Sequence, residues 1–141
     1  MEENIMSRVG IYTVNQSSQV VPVNGTISLG SINRRFGCKC NNALDLNGNG
    51  ITISEPGYYD VDISVTVTAT AAGNVTVTLF KDGVAVPGAT ATATAAASGT
   101  VALPIPPLVR QMCGSGSTLT LVLTGTAATI NNVSVKIIRV W

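Results

Sequence analysis

The side chains in this chain that could do chemistry are few, and their pattern argues against catalysis. Histidine is absent, which removes His-based acid/base catalysis and the Ser-His and Cys-His pairs that activate a nucleophile. The acids are Glu2, Glu3, Asp45, Glu55, Asp60, Asp62 and Asp82. Asp60 and Asp62 would share one strand face and could approach as a carboxylate pair, but a solvated strand face accounts for them, and no glycosidase is read from them. Asp45-Leu46-Asn47-Gly48-Asn49-Gly50 fits the first half of a calcium loop, in which oxygen ligands alternate around a hard cation. The second half fails: Pro56 stands where the bidentate Glu belongs, with Glu55 one place early. The stretch is read as an Asn-Gly turn between strands.

Cys38 and Cys40 point to one face of a strand and Cys113 ends another, so three thiols could converge. Zinc wants four ligands, and without histidine an Asp or water would have to complete the set. A disulfide from Cys38 or Cys40 to Cys113 and buried free thiols are the other readings, and the odd count favours reduced thiols. Gly114-Ser115-Gly116-Ser117 is a flexible turn, because no helix with a Lys follows it to cradle phosphate. Tyr12, Tyr58 and Tyr59 could form a sugar- or receptor-binding patch, or serve as core packing. No catalytic residue, cofactor or metal site is expected.

The elements that would carry these residues are strands. From Tyr59, apolar Val61, Ile63, Val65 and Val67 alternate with Asp60, Asp62, Ser64, Thr66 and Thr68, the period of a strand with one buried face. A turn at Ala72-Gly73-Asn74 leads into a partner over 75–81, and Asp82-Gly83 closes a hairpin. Other strands are expected over 9–14, 19–23, 26–29, 34–46, 51–54, 84–97, 101–108, 118–124 and 132–141. Residues 84–97, dominated by Ala and Thr, are either a strand squeezed between close neighbours or an edge strand with little packing, and small side chains on both faces favour the first, whereas Pro104, Pro106 and Pro107 mark an edge or a bulged crossing. The last strand sets Val133, Val135 and Ile137 on one face and Ile138 and Val140 on the other, so cover on both sides is expected. Eight to ten strands without helices predict an all-β, two-sheet antiparallel jelly roll. An immunoglobulin-like sandwich lacks its Cys, Trp, Cys series.

At 141 residues the chain is one domain, with residues 1–8 as an N-terminal arm and 9–141 as the domain. Only 11% of residues are charged, which points to Thr and Ser on the wet faces and to burial of surface against identical subunits. A net charge of +1 gives no footprint for nucleic acid, and no apolar run is long enough to span a membrane as a helix. The N-terminus does not read as a secretory signal, so synthesis and retention in a cytoplasm until release are expected. The sequons at Asn15, Asn24, Asn74 and Asn132 then carry no meaning.

Three segments, ITISEPGYYDVDISVTVTAT, NVTVTLFKDGVAVPGATATAT and LTLVLTGTAATINNVSVKIIRV, resemble the jelly-roll domain shared by tumour necrosis factor and the globular heads of complement-type collagens. Gly57-Tyr58-Tyr59 resembles that family's Gly-x-Tyr signature. The opening VGIYTVNQSSQVVPVNGTISLGSINRRFGCKCNNALDLNG is similar to small proteins of this class from phages and prophages of gut Firmicutes. The resemblance implies a homotrimer used as a virion surface element, a head decoration, head fibre or tail knob. Core and subunit contacts are expected from Val133, Val135, Ile137, Ile138 and Val140 and from the Tyr59 to Val67 face. The arm, Glu2, Glu3, Asn4, Ile5 and Met6, is the expected dock onto capsid or tail proteins. The competing expectation is a module that binds a host surface glycan or receptor at a tail tip or on a bacterial or spore surface.

Overall fold

The computed structural model describes residues 9–36, 43–112 and 116–141, which form twelve strands and no helix. In chain order these are β1 (Gly10–Asn15), β2 (Gln19–Val21), β3 (Ser31–Phe36), β4 (Leu44–Asn47), β5 (Gly50–Ile53), β6 (Gly57–Ala69), β7 (Gly73–Lys81), β8 (Val84–Ala95), β9 (Thr100–Ile105), β10 (Leu108–Gln111), β11 (Ser117–Gly125) and β12 (Ala128–Arg139). One sheet runs β10-β6-β12-β1-β3, with β9 continuing β10 along β6 and β2 extending β12's other edge. The second runs β4-β5-β11-β7-β8. Every strand pair is antiparallel, and many join residues far apart in sequence, as a jelly roll requires.

Alternation determines what lies between the sheets. Tyr59, Val61, Ile63, Val65 and Val67 of β6 are buried, as are Val133, Val135 and Ile137 of β12. In register Val133 faces Val65, Val135 faces Ile63 and Ile137 faces Val61. Val75, Val77 and Leu79 of β7 and Leu119, Leu121 and Leu123 of β11 close the same core from the other sheet. The Asp60, Asp62 and Ser64 side of β6 is exposed, as its polarity dictates. Asp82 and Gly83 make a two-residue turn between paired Lys81 and Val84, both with positive φ, 52° and 82°, matching the strand twist.

Four expectations change. The strand count exceeds ten because Pro106-Pro107 cuts the expected 101–108 strand into β9 and β10, and because short strands pair at the sheet ends. Residues 26–29 are not a strand: Thr26 makes one bridge to Val122, and Ile27 N–H donates to the Leu121 carbonyl at 2.9 Å. β8 is an edge strand, not a central one. Its Ala89 and Ala95 face inward where β8 closes on β9 of the other sheet, so the small residues fit a narrowing between sheets. The last strand has one fully covered face in the protomer; on its other face Ile138 is half-buried and Val140 exposed.

Candidate functional site

The outer face of the seven-stranded sheet is where this fold presents side chains that the core has not consumed. Its rows, read across β10, β6, β12 and β1, are Arg110, Tyr58, Val140, then Leu108, Asp60, Ile138, Gly10, then Asp62, Lys136, Tyr12, with Arg34 of β3 beyond. Toward the other end of the sheet the same face turns to Ser64, Ser134, Thr66 and Thr68. The apolar side chains therefore gather at the Gly57 end. Leu108 is 59% exposed, Met112 59%, Val140 47% and Trp141 78%. Arg110 holds its guanidinium 5.8 Å from the centre of the Tyr58 ring, a cation-π distance. Lys136 Nζ lies 3.8 Å from Asp62 Oδ2, an exposed pair of small energetic weight.

Round the sheet edge this patch meets a groove of about 570 Å³ lined by Lys81, Val84, Val86, Pro87, Leu108 and Arg110. Its walls separate because the Gly88 bulge (φ 77°) turns β8 and the proline pair ends β9. Val84 is 69% exposed there. Face and groove are contiguous through Leu108 and Arg110.

The Gly57 end of the sandwich is polar inside. Tyr59 is fully buried, and its hydroxyl donates to the Glu55 carbonyl at 2.8 Å. Burial pushes its pKa above the ordinary phenol value. Arg139 Nη1 is 3.2 Å from Glu55 Oε1. The Tyr58 N–H donates to the Trp141 carbonyl at 3.1 Å, and Val140 N–H to the Tyr58 carbonyl at 2.9 Å, which fixes the C-terminal residues against β6. Gly57 adopts φ +147°, and a Cβ there would lie 2.6 Å from the Trp141 carbonyl oxygen and 2.9 Å from Arg139 Nε. Only glycine fits, which gives a physical reason for the first position of Gly57-Tyr58-Tyr59.

Of the five residues expected at a subunit contact, Val133, Val135 and Ile137 are corrected to core, because their side chains are enclosed between the sheets of a single protomer. Ile138 and Val140 stay on the accessible face. Alternation alone could not say which face of β12 met the second sheet, since both carried apolar residues. Leu108, Met112, Val84, Arg110 and Trp141 were not anticipated; the proline pair before Leu108 was the available signal, as an edge strand exposes whatever it carries. Glu2, Glu3, Asn4, Ile5, Met6, Cys38, Cys40 and Cys113 lie outside the described residues.

Asp45 lies in β4 and bonds Arg35 Nη2 at 2.8 Å while accepting the Leu46 N–H at 2.9 Å. These bonds hold its carboxyl below the ordinary range. The hairpin beyond it closes with Asn47 opposite Gly50, which is the geometry of a tight turn. Asp82 is lowered as well, first by the Thr118 N–H it accepts and then by the Ser117 hydroxyl.

A scan against protein-family models finds no match, and a search of curated protein sequences finds none either. Solved structures do match. The chain is similar to Eiger TNF from S. frugiperda, with TM-score 0.67, 8% identity, 95% of this chain and 92% of that one covered. Murine APRIL at pH 5.0 gives TM-score 0.64, 13% identity and coverage of 95% and 98%. The globular domain of zebrafish complement 1qA gives TM-score 0.63, 7% identity and coverage of 91% and 94%. The fold is thus a jelly roll of the tumour necrosis factor and C1q globular-head type.

Proposed function

We propose that this chain is a non-enzymatic structural protein of a phage particle, a head decoration, head fibre or tail knob, that assembles as a homotrimer. The observation that carries the assembly is the exposed apolar patch formed by Leu108, Met112, Val140 and Trp141, with half-buried Ile138 among them, on a chain with only 11% charge. The patch spans two surfaces, the sheet face and the groove beside Val84. Contact between one copy's edge and the next copy's face is heterologous, and a heterologous contact whose rotation closes at three gives a ring. A stable contact of this kind buries about 800 Å² per partner. The phage setting is our reading of the opening segment, residues 9–48, which resembles phage and prophage proteins in sequence pattern alone, and the arm Glu2, Glu3, Asn4, Ile5, Met6 is its proposed dock onto capsid or tail proteins. Synthesis in the host cytoplasm and residence on the virion follow from the same reading.

Light scattering behind size-exclusion chromatography tests the assembly. The native chain is expected at three times its monomer mass. Ile138→Asp is expected to give a folded monomer, because the substitution sits on the outer face. Ile137→Ala, one residue earlier, is expected to lower stability by about 2–5 kcal/mol through a core cavity, and to weaken assembly only through that loss. A stable native monomer at micromolar concentration would remove the reading's main support. Location is tested by finding the chain on purified particles with electron microscopy.

A second reading, a carbohydrate- or receptor-binding module, is favoured by the exposed Trp141 and the Tyr58-Arg110 pair at one end of the sheet. Reproducible micromolar binding on a glycan array would promote it.

A further inference from the structure

Asparagine followed by glycine occurs at Asn24-Gly25, Asn47-Gly48 and Asn49-Gly50 in this chain. In such a pair the glycine amide nitrogen attacks the asparagine Cγ, because no side chain on the second residue hinders closure of the ring. The attack needs two things from the fold: an N–H that is not already donated, and a peptide free to rotate. The structure treats the three pairs differently.

The Asn24-Gly25 peptide is held on every side. Gly25 N–H donates to the Pro22 carbonyl at 2.9 Å, Asn24 N–H donates to the Leu123 carbonyl at 2.7 Å, and the Gly25 carbonyl accepts the Leu123 N–H at 3.0 Å. Asn49-Gly50 is held by the sheet, since Gly50 is buried and stands in the ladder opposite Asn47. A Cβ at Gly50 would lie 2.5 Å from Thr118 Cγ2, a measure of how closely β11 packs on it. Asn47-Gly48 is held by neither device. Both residues are exposed at the end of the β4-β5 hairpin, the Gly48 N–H makes no hydrogen bond among the described residues, and a Cβ at Gly48 would meet nothing within 4 Å.

We propose that Asn47 is a self-modification site, at which the folded protein converts asparagine to aspartate and isoaspartate while protecting Asn24 and Asn49. The Gly48 nitrogen forms a bond to Asn47 Cγ, the Cγ–Nδ2 bond breaks, and the proton from the Gly48 nitrogen leaves with Nδ2 as ammonia. Water then opens the succinimide: addition at Cγ leaves aspartate, and addition at the main-chain carbonyl carbon of Asn47 leaves isoaspartate, with the chain running through Cγ. Either product adds a negative charge two positions from Asp45, whose carboxylate holds Arg35 Nη2 at 2.8 Å. Isoaspartate also lengthens the main chain by one methylene at the last residue of β4 and spoils its register with Gly50. The site therefore ages the β4-β5 edge of the five-stranded sheet, independently of the particle and carbohydrate readings.

The test incubates the full-length native protein in mildly alkaline buffer and follows each pair by peptide mapping, with fragmentation in the mass spectrometer to separate Asn47 from Asn49. Conversion at Asn47 is expected to run about tenfold or more faster than at Asn24 or Asn49, since those two require local opening of a held peptide. In a urea-unfolded sample the three are expected to convert within about threefold of one another, because the protection belongs to the fold. Gly48→Ala, strained by φ 59° but free of any clash, is expected to slow Asn47 about tenfold, because its methyl hinders ring closure. The comparison of native with unfolded protein stands without that variant. A native rate at Asn24 or Asn49 that equals or exceeds the rate at Asn47 overturns the assignment, as does an Asn47 that converts only after unfolding.

Discussion

Replacing Thr13 by Val is expected to stabilise this protein, although it deletes a polar group from a sheet. Thr13 is fully buried in β1, opposite Val135 of β12 and Ile32 of β3, and its hydroxyl has no hydrogen-bond partner among the described residues. Thr-to-Val exchanges in cores are ordinarily unfavourable because a hydrogen bond is lost. Here there is none to lose. An unpaired buried hydroxyl costs about 1–3 kcal/mol, and both residues are β-branched, so χ1 and strand preference hardly change. The expected gain is about 1–2 kcal/mol, roughly 3–7 °C in Tm for a chain of this size. Urea unfolding at fixed protein concentration is the assay, because association would otherwise shift the midpoint by mass action. The midpoint should rise at constant m. Thr13→Ser, which keeps the hydroxyl and deletes the methyl, should lose about 1 kcal/mol. A midpoint for Thr13→Val equal to or below the native one, at unchanged m, would show that the hydroxyl is satisfied and refute the reasoning.

Gly57→Ala should be strongly destabilising, because its Cβ would press on the Trp141 carbonyl oxygen at 2.6 Å and adopt φ +147°. Strain and crowding together predict a loss of about 2–5 kcal/mol, read as a fall in the urea midpoint. For Asp45 the sign is set by its depressed folded-state pKa. The stability it contributes is present above the ordinary value of 3.8 and is lost as pH falls through the lower folded value. Asp45→Asn should therefore be less stable than the native chain at pH 7, with the difference shrinking below pH 3.8. The difference should be small and reduced by salt, since 43% of the Asp45 side chain is exposed. A difference that grows toward low pH would reverse the assignment.

Much of the fold is legible in residue order because burial on a strand has a period of two. Tyr59 to Val67 announces one core face without ambiguity, and Asp82-Gly83 announces its turn through the φ values it must adopt. The last strand defeats the same logic, since Val133, Val135, Ile137 and Ile138, Val140 are apolar on opposite faces. The Ala residues of β8 mislead for a related reason. Small side chains signal close approach, yet not whether the neighbour lies in the same sheet or the opposite one. Gln111 and Arg139, 28 positions apart in the chain, read as ordinary polar residues near strand ends until pairing places Gly57 beside each.

By itself the sequence determined that the chain is all-β, where its turns fall, which face of β6 is buried and that histidine-based catalysis is impossible. These follow from local sterics, alternation and composition. Long-range pairing settled which side of β12 meets the second sheet, that β8 is an edge, and that Arg139 and the Trp141 carbonyl crowd the space beside Gly57. Those are properties of pairing between distant strands, where register and sheet order are settled by burial summed over the whole core.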